Sequence, residues 1–384
     1  MNVPLDNPRI AIVGGGPGGL TLARVLHVHG IDAVLYERDA SRAARAQGGS
    51  LDLHVESGQR ALREAGLWEE FLAFARAEGQ DLRLLDPDGT LLLRQDTPDD
   101  APLSRPEIDR ADLRELLIDS LPQSAVVWGR VFERATPLPG GGHRLHFTDG
   151  GTADCDLLVG ADGARSRVRP LLTDARPFHV GLNTVESGIP DIDRTHPELA
   201  AMVGRGNYWV LGADRSLSAQ RNGNGGVRVH LGFNTPEGWL DDCGIPFDDR
   251  KRARAALMES FADWAPQCAA LIEACEDRFV PRPIMMLPIG LTWAPVPGVT
   301  LLGDAAHLMP PVGEGANMAM LDAVELGLAL ATGRGDLVAA VRDYESAMFE
   351  RAAVAARESA DILKTLMSGA RGLLELFQRQ AGSR

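Results

Sequence analysis

Lysine is almost missing from this chain: Lys251 and Lys364 are the only two in 384 residues. Neither follows a glycine-rich loop, which excludes a P-loop nucleoside triphosphate site, and Schiff-base chemistry has no well-placed amine. Cysteine is scarce as well. Cys155, Cys243, Cys268 and Cys275 show no CxxC spacing, so they read as thiols of a reducing cytoplasm, not as a disulfide framework or a zinc site. No run of 18 apolar residues exists, and no charged-then-apolar leader precedes the first strand. A transmembrane helix and a signal peptide are therefore not expected, and the location is expected to be cytoplasmic. The histidines are scattered; His27 and His29 are two apart on a helix and point different ways, so no metal site is expected. The net charge of −14, from 39 basic and 53 acidic residues, argues against a general nucleic-acid binder, and no polybasic membrane patch is present.

What is present is a globular composition, 45% hydrophobic, with length for two or three domains. Ile10–Val13 is an apolar run typical of a strand buried on both faces. Gly14, Gly16 and Gly19 follow at once as G-x-G-x-x-G. A helical pattern through Leu20, Leu22, Val25 and Leu26 runs to Gly30, and a second strand, Ala33–Tyr36, ends at Glu37. That acid sits at about the 20-residue spacing that lets a carboxylate reach a ribose hydroxyl. The first glycine permits the tight turn, the second lets backbone approach a pyrophosphate, and the third lets helix and strand pack closely. The helix N-terminus offers N–H groups to phosphates.

Further along, the sequence predicts a hairpin of Leu82–Leu85 and Thr90–Leu93 around Asp86-Pro87-Asp88-Gly89. It also predicts a helix from Ala111 to Leu121, strands near Val126–Trp128 and His143–Phe147, and one buried strand from Cys155 to Gly160. From about 176 to 280 the texture turns to alternating segments: Asn207–Leu211, Leu217–Arg221 and Val227–Phe233. The last two are joined by Asn222-Gly223-Asn224-Gly225-Gly226. This reads as an antiparallel sheet with one face roofing a cavity. Helices are expected near 251–264 and 267–276, a buried strand at Val299–Leu302, and helix from about 316 onward. The fold class is α/β, with a Rossmann-like FAD-binding domain built from 1–75, 100–175 and 280–337. A β-sheet substrate domain from 76–99 and 176–279 is inserted, and a C-terminal helical region, 338–384, bridges the two.

Asp162-Gly163 with Ser166, Val168 and Arg169, and Gly303-Asp304-Ala305-Ala306-His307 with Pro311, resemble the two further motifs of the single-component FAD aromatic hydroxylases, the p-hydroxybenzoate hydroxylase class. Within it, Gln47–His54, Pro106–Arg110 and His307–Pro311 look most like the tetracycline-inactivating flavin monooxygenases. The resemblance implies FAD, transient NADPH and dioxygen, and hydroxylation of an electron-rich aromatic or enol substrate, a tetracycline-like polycycle included, through a flavin hydroperoxide. It implies that Asp304 holds the ribityl or ribose side of FAD and that Arg110 meets its phosphates or ribityl chain. Asp52 is to lie near the ring, Glu37 and Arg38 near the adenosine, and Arg45 is linked to NADPH. Asp162 and Asn317 join the FAD set, with Pro311, Gly313 and Gly315 beside the ring. No acid–base triad is required, and the helix opening at Gly313–Asn317 would stabilise negative charge on the reduced ring. The bland readings are that Arg45 belongs to a solvated face and that Arg110 pairs with Asp109 or Asp112. One departure stands out: Pro310-Pro311-Val312-Gly313 is a residue shorter than the family pattern, which leaves ring mobility, oxygen access and FAD retention open at that loop.

Glu186, Tyr208 and Arg228 fall where the tetracycline enzymes carry other polar residues. They either line the substrate pocket or are ordinary solvent-facing strand residues. A same-fold reductase and a non-catalytic drug- or flavin-binding protein are the rival readings. A flavin halogenase is disfavoured, because Trp293-Ala294-Pro295 does not match its tryptophan motif and no lysine lies in the first domain. The expected state is a monomer or weak dimer with a small-molecule aromatic or polyketide substrate.

Overall fold

Five short apolar segments from distant parts of the chain meet in one parallel sheet. In the computed structural model, which describes residues 8–44, 48–333 and 336–382, their order is Val299–Leu301, Leu157–Gly160, Ile10–Val13, Ala33–Tyr36 and Val126–Val127. Every neighbouring pair is parallel. Ile10 to Val13 are all buried, as a strand covered on both faces requires. The helix Pro17–Val28 starts with proline in its first turn and packs on the helix Gly315–Thr332. That approach is close enough that a Cβ on Gly327 would stand 2.6 Å from Val25 Cγ1.

The single strand expected from Cys155 to Gly160 is two strands. Thr152–Cys155 pairs antiparallel with His143–Phe147, which in turn pairs with Phe132–Pro137, while Leu157–Gly160 joins the parallel sheet. Asp156 makes the break. Its carboxylate accepts from Arg9 N at 2.8 Å and Arg9 Nη2 at 2.7 Å, which turns the chain from one sheet into the other.

The second large sheet has seven strands in the order Val280–Met286, Phe178–Ile189, Val227–Phe233, Arg215–Arg221, Asn207–Leu211, Leu82–Leu85, Leu91–Gln95. Only Asn207–Leu211 and Leu82–Leu85 run parallel. The predicted hairpins and the antiparallel pairing are present. Val280–Met286, which the sequence assigned to the returning dinucleotide part, pairs instead with Phe178–Ile189. Pro281 and Pro283 hid it as a strand, and an edge position is where prolines are tolerated. One face of the sheet carries Val185, Val210, Leu217, Val229 and Leu231. It is buried against the helices Arg250–Ser260 and Pro266–Ala274.

The long helix Leu337–Met367 bridges the two halves. Ala340, Val341, Tyr344, Met348 and Ala352 join the core of the parallel sheet. At its far end Asn234 Nδ2 donates to Met367 O, and Arg371 pairs with Asp86. Among the described residues no helix is long and apolar enough to cross a membrane.

Three elements converge on Asp322, which is fully buried. Its Oδ2 accepts from Gly303 N at 3.0 Å and faces His307 Nε2 at 2.5 Å, and its Oδ1 accepts from Arg351 Nη2 at 2.9 Å. Burial opposes charge on both Asp322 and His307. Their mutual attraction overrides it, holding the imidazole above and the carboxyl below its ordinary range. Asp322→Ala leaves two cations without their buried partner. The expected loss is about 3–5 kcal/mol of stability, measured by urea unfolding.

Candidate functional site

The glycine loop has the shape its spacing requires. Gly14 has φ +112°, and a Cβ there would stand 2.4 Å from Ala161 O. A Cβ on Gly19 would stand 2.0 Å from Gly14 O, whereas Gly16 faces open space. The N-terminus of Pro17–Val28 therefore points its N–H groups past an unobstructed backbone. Glu37, at the end of the second strand, is buried. Its Oε2 accepts from Gly15 N at 2.6 Å and its Oε1 from Asp39 N at 2.9 Å. Each oxygen keeps a lone pair for a ribose hydroxyl. Arg38 is exposed beside it. Arg45 and Gln47 lie outside the described residues.

The two further motifs are tied together by Arg169, which the sequence quoted without a role. Its Nε donates to Ala305 O at 2.7 Å, and its Nη2 donates to Ala164 O at 2.9 Å and Asp304 O at 3.1 Å. Asp162 Oδ2 accepts from Arg167 N at 2.7 Å, and Asp162 Oδ1 is buried with no partner among the described residues. Burial pushes the Asp162 carboxyl upward. The Asp304 carboxylate makes no hydrogen bond among the described residues. Burial raises it too, against the pull of His307, Arg110 and Arg169. Arg110 is exposed and opens the helix Arg110–Asp119. Desolvation lowers its guanidinium, while Asp304, Glu186 and Glu107 act in the opposite sense. Asp109 pairs instead with Arg76, at 2.7 Å.

Pro311 and Gly313 are exposed on the loop before the helix Gly315–Thr332, and the shortened stretch closes as a tight turn with Val312 N donating to Pro310 O. Asn317, expected at the cofactor, spends its side chain on protein. Nδ2 donates to Asp52 O at 2.8 Å and Gly313 O at 3.1 Å, and Oδ1 accepts from His54 N at 2.9 Å and Gly58 N at 3.1 Å. It holds the strand Ser50–Asp52 to the loop.

Strand alternation sorts the expected substrate residues. Glu186 and Arg228 share the face turned toward the glycine-rich side: Arg228 stands over Gly48, whose Cβ would be 3.0 Å from Nη1. Glu186 takes Arg282 Nε at 2.7 Å and Arg228 Nη2 at 3.3 Å, and faces His230 across the strand pair. Burial drives His230 down to about 4. His230 and Arg282 were missed, although the period of two from Arg228 pointed to His230. Tyr208 does not join them. It pairs with Ala219 and Arg83 on the opposite face, is buried in the helix-covered core, and is pushed up to about 12 by burial. Below the roof lies the two-stranded floor Ser50–Asp52 and Glu107–Asp109, joined to the sheet by Gln220 Nε2 donating to Glu107 Oε1 and by Gly223 N donating to Asp109. No cluster of three metal-ligating side chains occurs among the described residues.

The glycine loop, the buried acid Glu37 and the Asp162 and Asp304 motifs come together at the C-terminal ends of four neighbouring parallel strands. That is the plan of a flavoprotein hydroxylase, and the unpartnered oxygens of Asp162 and Asp304 together with Arg110 fit the hydroxyls and phosphates of FAD. Comparison with known proteins agrees. Residues 8–124 and 297–357 match the FAD binding domain family. The chain is 33% identical over 370 residues to monooxygenase asqM of Emericella nidulans, covering 83% of this chain and 82% of that one. HpxO of Klebsiella pneumoniae, solved with FAD and uric acid, superposes with a TM-score of 0.79 at 22% identity, covering 100% of this chain and 95% of that one. Tetracycline destructase Tet(51) does so with 0.71 at 19%, covering 100% and 95%. The chain belongs to the FAD-dependent monooxygenases.

Glu107 carries a pH dependence. It is buried beside Ser50 Oγ and opposite Asp52, and burial lifts its pKa from 4.5 to about 7. Between those values the folded chain holds a proton that the unfolded chain has lost, so stability is complete below pH 4.5 and falls as pH rises toward 7. Unfolding free energies from urea titrations at about pH 5 and about pH 8 should differ by about 2.5 kcal/mol, and Glu107→Gln should remove most of that difference.

Proposed function

We propose that this enzyme uses FAD and NADPH to place one oxygen atom on an electron-rich aromatic or enolic substrate bound under the seven-stranded sheet. The observation that carries this reading is the approach of the roof to the cofactor side: a Cβ on Gly48 would stand 3.0 Å from Arg228 Nη1, and one on Gly49 3.9 Å from Arg110 Nε. FAD, when bound, supplies hydride acceptance and dioxygen activation. The chain's own residues bind and orient. The glycine loop and its helix take the pyrophosphate, Glu37 the adenosine ribose, and Asp304 with Arg110 the ribityl and phosphate region. Asp52, Pro311, Gly313 and Gly315 border the ring, and the helix starting at Gly315 directs its positive end there. Arg45 is the candidate NADPH contact.

The roof carries Arg228, Arg282 and His230 around a single acid, Glu186, and suits a substrate with an acidic hydroxyl or enol. Uric acid, bound in the HpxO structure, has that chemistry, and so does a tetracycline-like polycycle. The test is the visible flavin spectrum of the purified protein, NADPH consumption with such substrates, and product mass. A gain of one oxygen is expected. A gain of two hydrogens would make it a reductase, and binding without NADPH-dependent oxygen uptake would make it a sequestering protein. Arg228→Ala should raise KM about tenfold or more, with FAD content unchanged.

A further inference from the structure

His54 has no role in the cleft described so far, yet its ring lies between two carboxylates from distant parts of the chain. Nε2 is 2.9 Å from Asp52 Oδ2, on the strand Ser50–Asp52. Nδ1 is 3.6 Å from Glu314 Oε1, at the start of the helix Gly315–Thr332. The imidazole is 14% exposed, against 27% for Asp52 and 29% for Glu314, so solvent reaches the acids more freely than the ring between them. The surrounding backbone is held whatever the charge of the ring, because Asn317 binds His54 N, Asp52 O and Gly313 O.

A neutral imidazole has one N–H and can donate to one carboxylate only; the imidazolium donates toward both. Asp52 and Glu314 belong to the two pieces of chain that flank the loop Pro310–Gly313. Asp52 Oδ1 is 3.4 Å from the point where a Cβ on Gly313 would stand, and Gly313 has φ +104°. A proton on His54 thus strengthens the contact to Glu314 at the end of this short loop, beside the Asn317 side chain that already joins Gly313 O to Asp52 O. The other ionisable groups near it are Glu107, opposite Asp52 on the paired strand, and Asp304, whose Oδ1 is 3.7 Å from the Cβ position of Gly315.

We propose that His54 is a positioning residue: through Asp52 and Glu314 it latches the loop Pro310–Glu314 to the strand Ser50–Asp52, and it does so most firmly when protonated. The inference rests on the reading that FAD lies against this loop. The only chemical event is uptake of a solvent proton by the imidazole and its return.

The experiment has two arms. In the first, FAD is titrated into the deflavinated protein from mildly acidic to mildly alkaline pH. The dissociation constant of the wild type should rise about three- to fivefold over that range, the size expected of an ion pair that solvent reaches. His54→Asn and Glu314→Gln should flatten the rise, whereas Glu107→Gln, which removes the neighbouring titrating acid, should keep it. In the second arm, hydrogen exchange of the Val312–Ala316 amides is followed in the FAD-free protein. Their protection, corrected for intrinsic rates, should fall with rising pH in the wild type and stay low in Glu314→Gln. A rise in the FAD dissociation constant that persists in both His54→Asn and Glu314→Gln overturns the latch, as does loop protection indifferent to Glu314→Gln. Failure of every form to bind FAD would overturn the cofactor reading instead, and the exchange arm would still decide the latch.

Discussion

The carboxylate of Asp322 is the interaction on which the rest of this structure hangs. It is fully buried and bound by Gly303 N–H, His307 and Arg351. A buried charge of this kind is tolerable only when every lone pair is answered. Here the answers come from the end of a sheet strand, from the turn after it and from the long C-terminal helix. The turn Gly303–His307 cannot move without breaking that set. Asp304 sits on the turn, and Arg169 grips its backbone from the Asp162 segment. The two motifs thus share a position because both are tied to one buried ion group.

Around that anchor the cleft is built from groups left deliberately unfinished. Among the described residues Asp162 Oδ1 has no partner and the Asp304 carboxylate makes no hydrogen bond, and Arg110 is exposed. In a folded core such groups would be costly. They are reasonable where a ligand rich in hydroxyls and phosphates completes them. The roof follows a different logic. Its outer face is closed by helices on Val185, Leu217, Val229 and Leu231, so the alternate residues Glu186, Arg228 and His230 are left facing the cleft.

Most of the fold was legible because local patterns agreed with the tertiary outcome. The apolar runs at Ile10–Val13 and Ala33–Tyr36, the hairpin of Leu82–Leu85 and the alternating strands after Asn207 all formed where their periods placed them. The misreadings had specific causes. Asp156 splits an apolar run because its carboxylate holds Arg9, a partner distant in sequence. Pro281 and Pro283 disguised an edge strand. Tyr208 was a substrate candidate by its resemblance to a polar position of the tetracycline enzymes, but it lies buried on the helix-covered face, which a resemblance at single positions does not reveal. Asn317 was assigned to the cofactor although its amide is consumed by backbone groups of Asp52, His54, Gly58 and Gly313, contacts that no local pattern signals.

By itself the sequence determined the dinucleotide: the glycines at 14, 16 and 19, the acid at 37 and the strand-end carboxylates are short-range features, legible because turns, strand ends and helix starts are set by neighbouring residues. Only the tertiary structure decided how those pieces share one cleft. Arg228 over Gly48, His230 and Arg282 around Glu186, and Glu314 beside His54 all bring together residues far apart in the chain. They depend on which faces pack and which charges must be buried together, and those are properties of the closed fold.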